Sequence, residues 1–143
     1  MRLYLILVCC TFLMSCTCVK KDELIKSVDI DWVPSESRLE VKEMLKELDF
    51  KNIEKSVKRT SEELHYMVFA YSDREFKKIN SKVYSFDLQV KDDLGDALYS
   101  KEYIFLKQED NEYKLIEKMP IEVDGVGKIV YQDEMFEFIE DKK

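Results

Sequence analysis

The chain has 143 residues and a formal net charge of -7, from 30 Asp and Glu against 23 Lys and Arg. That is one domain's worth of chain, and 45% hydrophobic residues with eight Tyr and eight Phe can bury a core, which excludes compositional disorder. The acidic balance excludes a general nucleic-acid binder, because phosphate contacts need clustered Lys and Arg.

Met1 and Arg2 form a minimal positive start, and Leu3 to Met14 is an uninterrupted uncharged run of twelve residues. A bilayer span needs about 20 residues, so this run is too short to cross and reads as a secretory signal. The stretch Leu13-Met14-Ser15-Cys16 resembles the lipobox of bacterial lipoproteins: a branched apolar residue three places before the cysteine, a small residue directly before it, then Cys. Met14 departs from the small or β-branched residue usual at that place. The resemblance implies a signal peptide over 1–15, cleavage before Cys16, a diacylglyceryl thioether with palmitate-like chains on Cys16, and a cell-envelope location. Thr17 stands where Asp would mark inner-membrane retention, so the same resemblance implies the outer membrane if the cell has one. An ordinary cleaved signal or a buried N-terminal helix is the competing reading.

All four cysteines lie within the first 18 positions, so no disulfide framework staples the body. Cys9 and Cys10 read as apolar residues of the signal. Cys18 is left as a free or modified thiol beside the membrane, or as the bond of a dimer in an oxidising envelope. Residues 16–23 then form the lipidated cysteine and a short tether reaching about 25 Å at most, and 24–143 a single domain. Removing 1–15 takes away Arg2 and no carboxylate, which leaves the mature chain at -8. Such a body gains nothing from anionic headgroups.

Val28, Ile30 and Trp32 alternate with Asp29 and Asp31, the pattern of a half-buried strand ending at Pro34. Ser37 and Glu40 match a capping box, and Val41, Met44, Leu45 and Leu48 fall on one helical face. Asp49 can cap a second short helix carrying Phe50, Ile53 and Val57. Leu64 to Tyr71 is ambiguous: Thr60 and Glu63 match another capping box, whereas the run itself is aromatic and β-rich, and its length leans toward a strand. From Lys82 onward strands follow one another. Tyr84, Phe86, Leu88 and Val90 alternate with Ser85, Asp87 and Gln89, and the turn Asp93-Leu94-Gly95-Asp96 leads into a return strand from Ala97 to Leu106. A turn at Glu109 to Asn111 precedes a strand from Tyr113 to Lys118, stopped by Pro120. Gly125 and Gly127 mark a turn before Lys128 to Tyr131, and Met135 to Ile139 is a short apolar end that the pattern leaves unassigned.

Helices early and an antiparallel meander late predict an α+β domain, with one or two N-terminal helices packed on a curved antiparallel sheet. A β-sandwich with an N-terminal helix is the alternative. The segment Phe105-Leu106-Lys107-Gln108-Glu109-Asp110-Asn111-Glu112-Tyr113-Lys114-Leu115 resembles the last hairpin of NTF2-like, cystatin-like bacterial domains, with Tyr113 where Trp is commoner. That family contains both enzymes and inert binding domains, so it carries no functional residue over to this chain.

His65 is the only imidazole, and no cysteine of the body can serve as a nucleophile beside it. It reads as a core or interface histidine, and as a pocket residue only if a carboxylate converges on it. One imidazole cannot supply a zinc site, so no metal and no cofactor are expected. Asp29 and Asp31 read as solvated charges of one strand face, and Asp92 to Asp96 as a hairpin turn lacking the ligand spacing of an EF-hand loop. Tyr99, Tyr103, Phe105 and Tyr113 are expected in packing before any pocket. Asp133, Glu134, Glu137, Glu140 and Asp141, interleaved with Met135, Phe136, Phe138 and Ile139, form a candidate interaction surface for a basic partner. Together these features predict a lipid-anchored, non-catalytic envelope module that binds an unknown envelope protein or small ligand and no nucleic acid. The alternatives are an anchored NTF2-like small-molecule binder or small enzyme using His65, and an immunity or inhibitor protein with an acidic face.

Overall fold

The computed structural model describes residues 20–57 and 63–142. Cys16, Cys18 and the rest of the targeting segment lie outside them, as does Thr60. Residues 20–27 are helical (α1), so residues 20–23, expected as tether, belong to the folded body. The apolar residues explain this: Ile25 and Val28 are buried in the main core, and Lys21 Nζ donates to the Lys46 carbonyl at 2.6 Å.

No strand follows. Asp29 makes a single parallel bridge to Met67, and the chain then turns, with Asp31 N donating to Asp29 Oδ1 at 3.0 Å and Val33 N to the Ile30 carbonyl at 2.9 Å. The turn buries Val33 and leaves Trp32 outside, which breaks the period-2 pattern expected of a strand. The capping box expected at Ser37 and Glu40 is also absent. Ser37 ends a 3-10 turn, Ser35–Ser37, and its side chain makes no cap bond to helix α2, Arg38–Leu45. Both side chains are engaged by tyrosines instead, Ser37 by Tyr71 and Glu40 by Tyr84. The apolar face of α2 is as expected, with Val41, Met44 and Leu45 buried and Leu48 just beyond. Asp49 caps α3, Phe50–Ser56, its carboxylate accepting from Asn52 N at 3.2 Å.

Among the described residues seven antiparallel strands follow: β1 His65–Phe76, β2 Ser81–Lys91, β3 Ala97–Lys107, β4 Tyr113–Ile116, β5 Ile121–Val123, β6 Gly127–Gln132 and β7 Met135–Glu140, with a 3-10 turn at Lys77–Ile79 between the first two. The ambiguous run at Leu64 is therefore a strand. Strands β1-β2-β3-β4 form one sheet in sequence order and β5-β6-β7 a second, smaller one. The hairpin turn after β2 is built as expected: Asp92 accepts from Leu94 N and Asp96 N, and Gly95 takes a φ of 87° that side chains disfavour. A bulge between Phe69 and Ser72, with Ala70 at φ 52°, resets the faces of β1.

The chain folds as an α+β domain in three layers. One face of the larger sheet, with Tyr66, Val68, Tyr84, Phe86, Leu88, Val90, Tyr103 and Phe105, is packed with the helical layer in one apolar cluster. The opposite face carries a second cluster at one end, where Phe76, Val83 and Leu106 meet Ile121, Ile129 and Phe136 of the smaller sheet. Adjacent residues such as Val83 and Tyr84, or Phe105 and Leu106, are therefore both buried, and alternation disappears there. Gly127 lies at the edge of this second core with no room for a side chain, since a Cβ there would meet the Ile139 carbonyl oxygen and the Phe138 ring.

Candidate functional site

The outer face of the smaller sheet follows from its register. Ile129 and Phe136 point into the second core, so their neighbours point out: Lys128 opposite Ile139, Val130 opposite Glu137 and Gln132 opposite Met135. Met135 is 50% and Ile139 42% exposed. Asp133 and Glu134 form the tip of the β6–β7 hairpin, both at positive φ, the geometry of a tight two-residue turn. Three of the five candidate acids thus frame this face: Asp133 and Glu134 at its tip and Glu137 on it. Glu140 does not join them, because it pairs with Lys78 beside the larger sheet. Asp141 lies at the opposite end, its backbone N donating to the Val126 carbonyl at 3.0 Å. The structure therefore divides the acidic segment expected as one surface.

A cleft of about 240 Å³ opens beside the N-terminal turn of α2, lined by Glu40, Glu75, Lys82, Tyr84, Lys107 and Asn111 among others. Lys82 Nζ lies 5.2 Å from the centroid of the Tyr84 ring and Lys107 Nζ 5.0 Å from that of Tyr113. The two rings meet edge-on at 5.6 Å. Asp73 stands 3.4 Å from Lys82. Burial pushes the Tyr84 phenol up, and the neighbouring Glu40 adds to this, while Tyr71 is raised by burial against an opposing hydrogen bond from Ser37. Both phenols stay protonated at physiological pH and act as donors, so neither is a base. The lining therefore carries two ammonium groups, Lys82 and Lys107, and two carboxylates, Glu40 and Glu75. Of the other expected aromatics, Phe105 stacks on Phe86, and Tyr103 bonds Tyr99 hydroxyl to hydroxyl at 2.7 Å, so they serve packing. Burial likewise pushes the Tyr103 phenol up.

A second cleft, of about 440 Å³, runs along β3 where β4 has ended, between Lys101–Ile104 and Leu115–Met119. Sequence reasoning missed both clefts, since each depends on where neighbouring strands stop or turn.

His65 is exposed at the first position of β1, opposite Lys91, and lines none of these clefts. This corrects its expected place in the core: alternation puts Tyr66 and Val68 inward and leaves His65 on the other face, beyond the reach of the smaller sheet. His65→Gln should change the unfolding free energy by no more than about 0.5 kcal/mol; thermal melts of the two chains measure this. Asp29 is half-buried as the acceptor of a turn, so Asp29 and Asp31 do not form the expected strand face. Among the described residues no three His, Cys, Asp or Glu side chains converge as metal ligands, and no helix is long and apolar enough to cross a membrane. Comparisons with protein-family models, curated proteins and solved structures gave no match.

Proposed function

We propose that this chain is a lipid-anchored envelope protein, attached through Cys16, whose folded part is a non-catalytic module that docks a basic protein on the outer face of β6 and β7. The anchoring half rests on Leu13-Met14-Ser15-Cys16 after an apolar run of signal length. The docking half rests on one observation: Met135 and Ile139 stay exposed on a face framed by Asp133, Glu134 and Glu137. Apolar area for contact beside three carboxylates, against Lys128 opposite Ile139, favours a partner of positive potential.

The test is photocrosslinking from position 132 on intact envelopes, followed by association kinetics of the captured protein. Screening lengths fall from about 30 Å at 0.01 M salt to about 10 Å at 0.1 M, so the association rate should drop about tenfold or more over that range. Neutralising the rim as Asp133→Asn, Glu134→Gln and Glu137→Gln together should reproduce much of that drop. A rate indifferent to both salt and the triple variant removes the docking reading and returns these acids to the role of solubilising charge.

A further inference from the structure

The single tryptophan of the chain is 72% exposed, yet its turn is held firmly. Arg38 Nε donates to the Val33 carbonyl at 3.0 Å and Nη2 to the Asp31 carbonyl at 3.2 Å, while Val33 is buried behind them. Leu39, the residue after that arginine, is 73% exposed in the first turn of α2. An indole and an isobutyl group are therefore presented to solvent on a rigid mount, where packing explains neither.

We propose that Trp32 and Leu39 dock the body onto the phospholipid surface to which Cys16 anchors it; this rests on the anchoring reading above. Chain length supports a lipid occupant. From Cys16 to Lys20 the backbone reaches at most about 14 Å, and α1 adds roughly 12 Å at 1.5 Å per residue. Lys21 meets the C-terminal end of α2 through the Lys46 carbonyl, and Arg38 holds the Trp32 turn at the other end, so about 12 Å, the length of α2, separates the start of α1 from the Trp32 turn, a distance within that reach.

The size of the patch argues in the same direction. A tryptophan buries roughly 150–250 Å², and with Leu39 the patch stays well short of the roughly 800 Å² per partner of a stable protein interface. For a tethered body a small contact is enough. The anchor has already removed most translational freedom, and the effective concentration of the surface is high. Tryptophan suits the headgroup region, with an apolar ring and one polar N–H. Asp31 and Glu36, exposed and close to Trp32 in sequence, make the fit better for zwitterionic than for anionic lipid.

The docking also orients the molecule. Helices and smaller sheet lie on opposite faces of the larger sheet, so seating α2 on the bilayer turns Met135, Glu137 and Ile139 toward the aqueous compartment.

The experiment uses the full lipidated chain in phosphatidylcholine vesicles, with or without brominated acyl chains, and reads the emission of Trp32. Brominated lipid should remove roughly half or more of that emission, and Leu39→Glu should cut this quenching about twofold while the chain still floats with the vesicles. A chain that floats with the vesicles while Trp32 is untouched by bromine and open to acrylamide overturns the docking and leaves the anchor standing. A chain that does not float overturns both.

Discussion

Cys16→Ala is expected to move the protein almost wholly from the membrane fraction to the soluble fraction. On the proposed anchoring, attachment comes from acyl chains at about 0.8 kcal/mol per buried CH₂; one such chain binds only marginally and a second makes attachment lasting. The body cannot substitute for them. No described helix can span a bilayer, the charge of -8 that the proposed cleavage leaves opposes anionic headgroups, and the Trp32 patch is too small to hold a free protein. Cys18→Ala is the control and should remain on the membrane, since Cys18 has no small residue before it and no branched residue three places earlier in the lipobox arrangement. Fractionation with mass measurement of the mature N-terminus reads both variants. Equal retention of the two removes the lipoprotein reading, and with it the membrane docking.

Phe105→Ala is expected to have the largest effect on stability. Phe105 is fully buried, stacked on Phe86 with ring centroids 5.7 Å apart, and paired across the ladder with Tyr84 on β2 and Leu115 on β4. Truncation removes the ring and leaves a cavity that two paired strands cannot close, a loss of about 3–5 kcal/mol. Against a total stability of about 5–15 kcal/mol for a domain of this size, that fraction can abolish folding. Phe105→Leu keeps much of the volume and should cost about 1–2 kcal/mol, which keeps the comparison measurable. Urea titration followed by far-UV circular dichroism is the readout, because Trp32 already faces water and reports poorly on the core. If the alanine variant loses less than the leucine variant, Phe105 does not pack as described.

Each element read correctly in the sequence has a short-range cause. The buried face of α2 follows from Val41, Met44, Leu45 and Leu48 at helical spacing, and the α3 cap from an Asp three residues before Asn52. The hairpin β2–β3 follows from alternation and from Gly95 at a φ that disfavours other residues. In each case the deciding interaction spans a few residues, so the chain carries it locally. The misread segments answer to distant partners. Ser37 and Glu40 look like cap residues until Tyr71 and Tyr84 are brought beneath them, and Val28 to Trp32 looks like a strand until burial of Val33 turns the chain.

By itself, then, the sequence determined the α+β class, most strand positions, the acidity of the C-terminal segment and the motif on which the proposed anchor rests. Only the tertiary structure decided that the late strands divide into two sheets, with the helices on one face of β2 and β3 and the smaller sheet on the other, because burial of Val83 and Leu106 depends on Ile121, Ile129 and Phe136 arriving from later in the chain. The same packing decided the candidate surface. It sends Phe136 inward, which leaves Met135, Glu137 and Ile139 outward together, and draws Glu140 away to Lys78. A period of two tells which residues share a face, and only a second layer tells which face meets water.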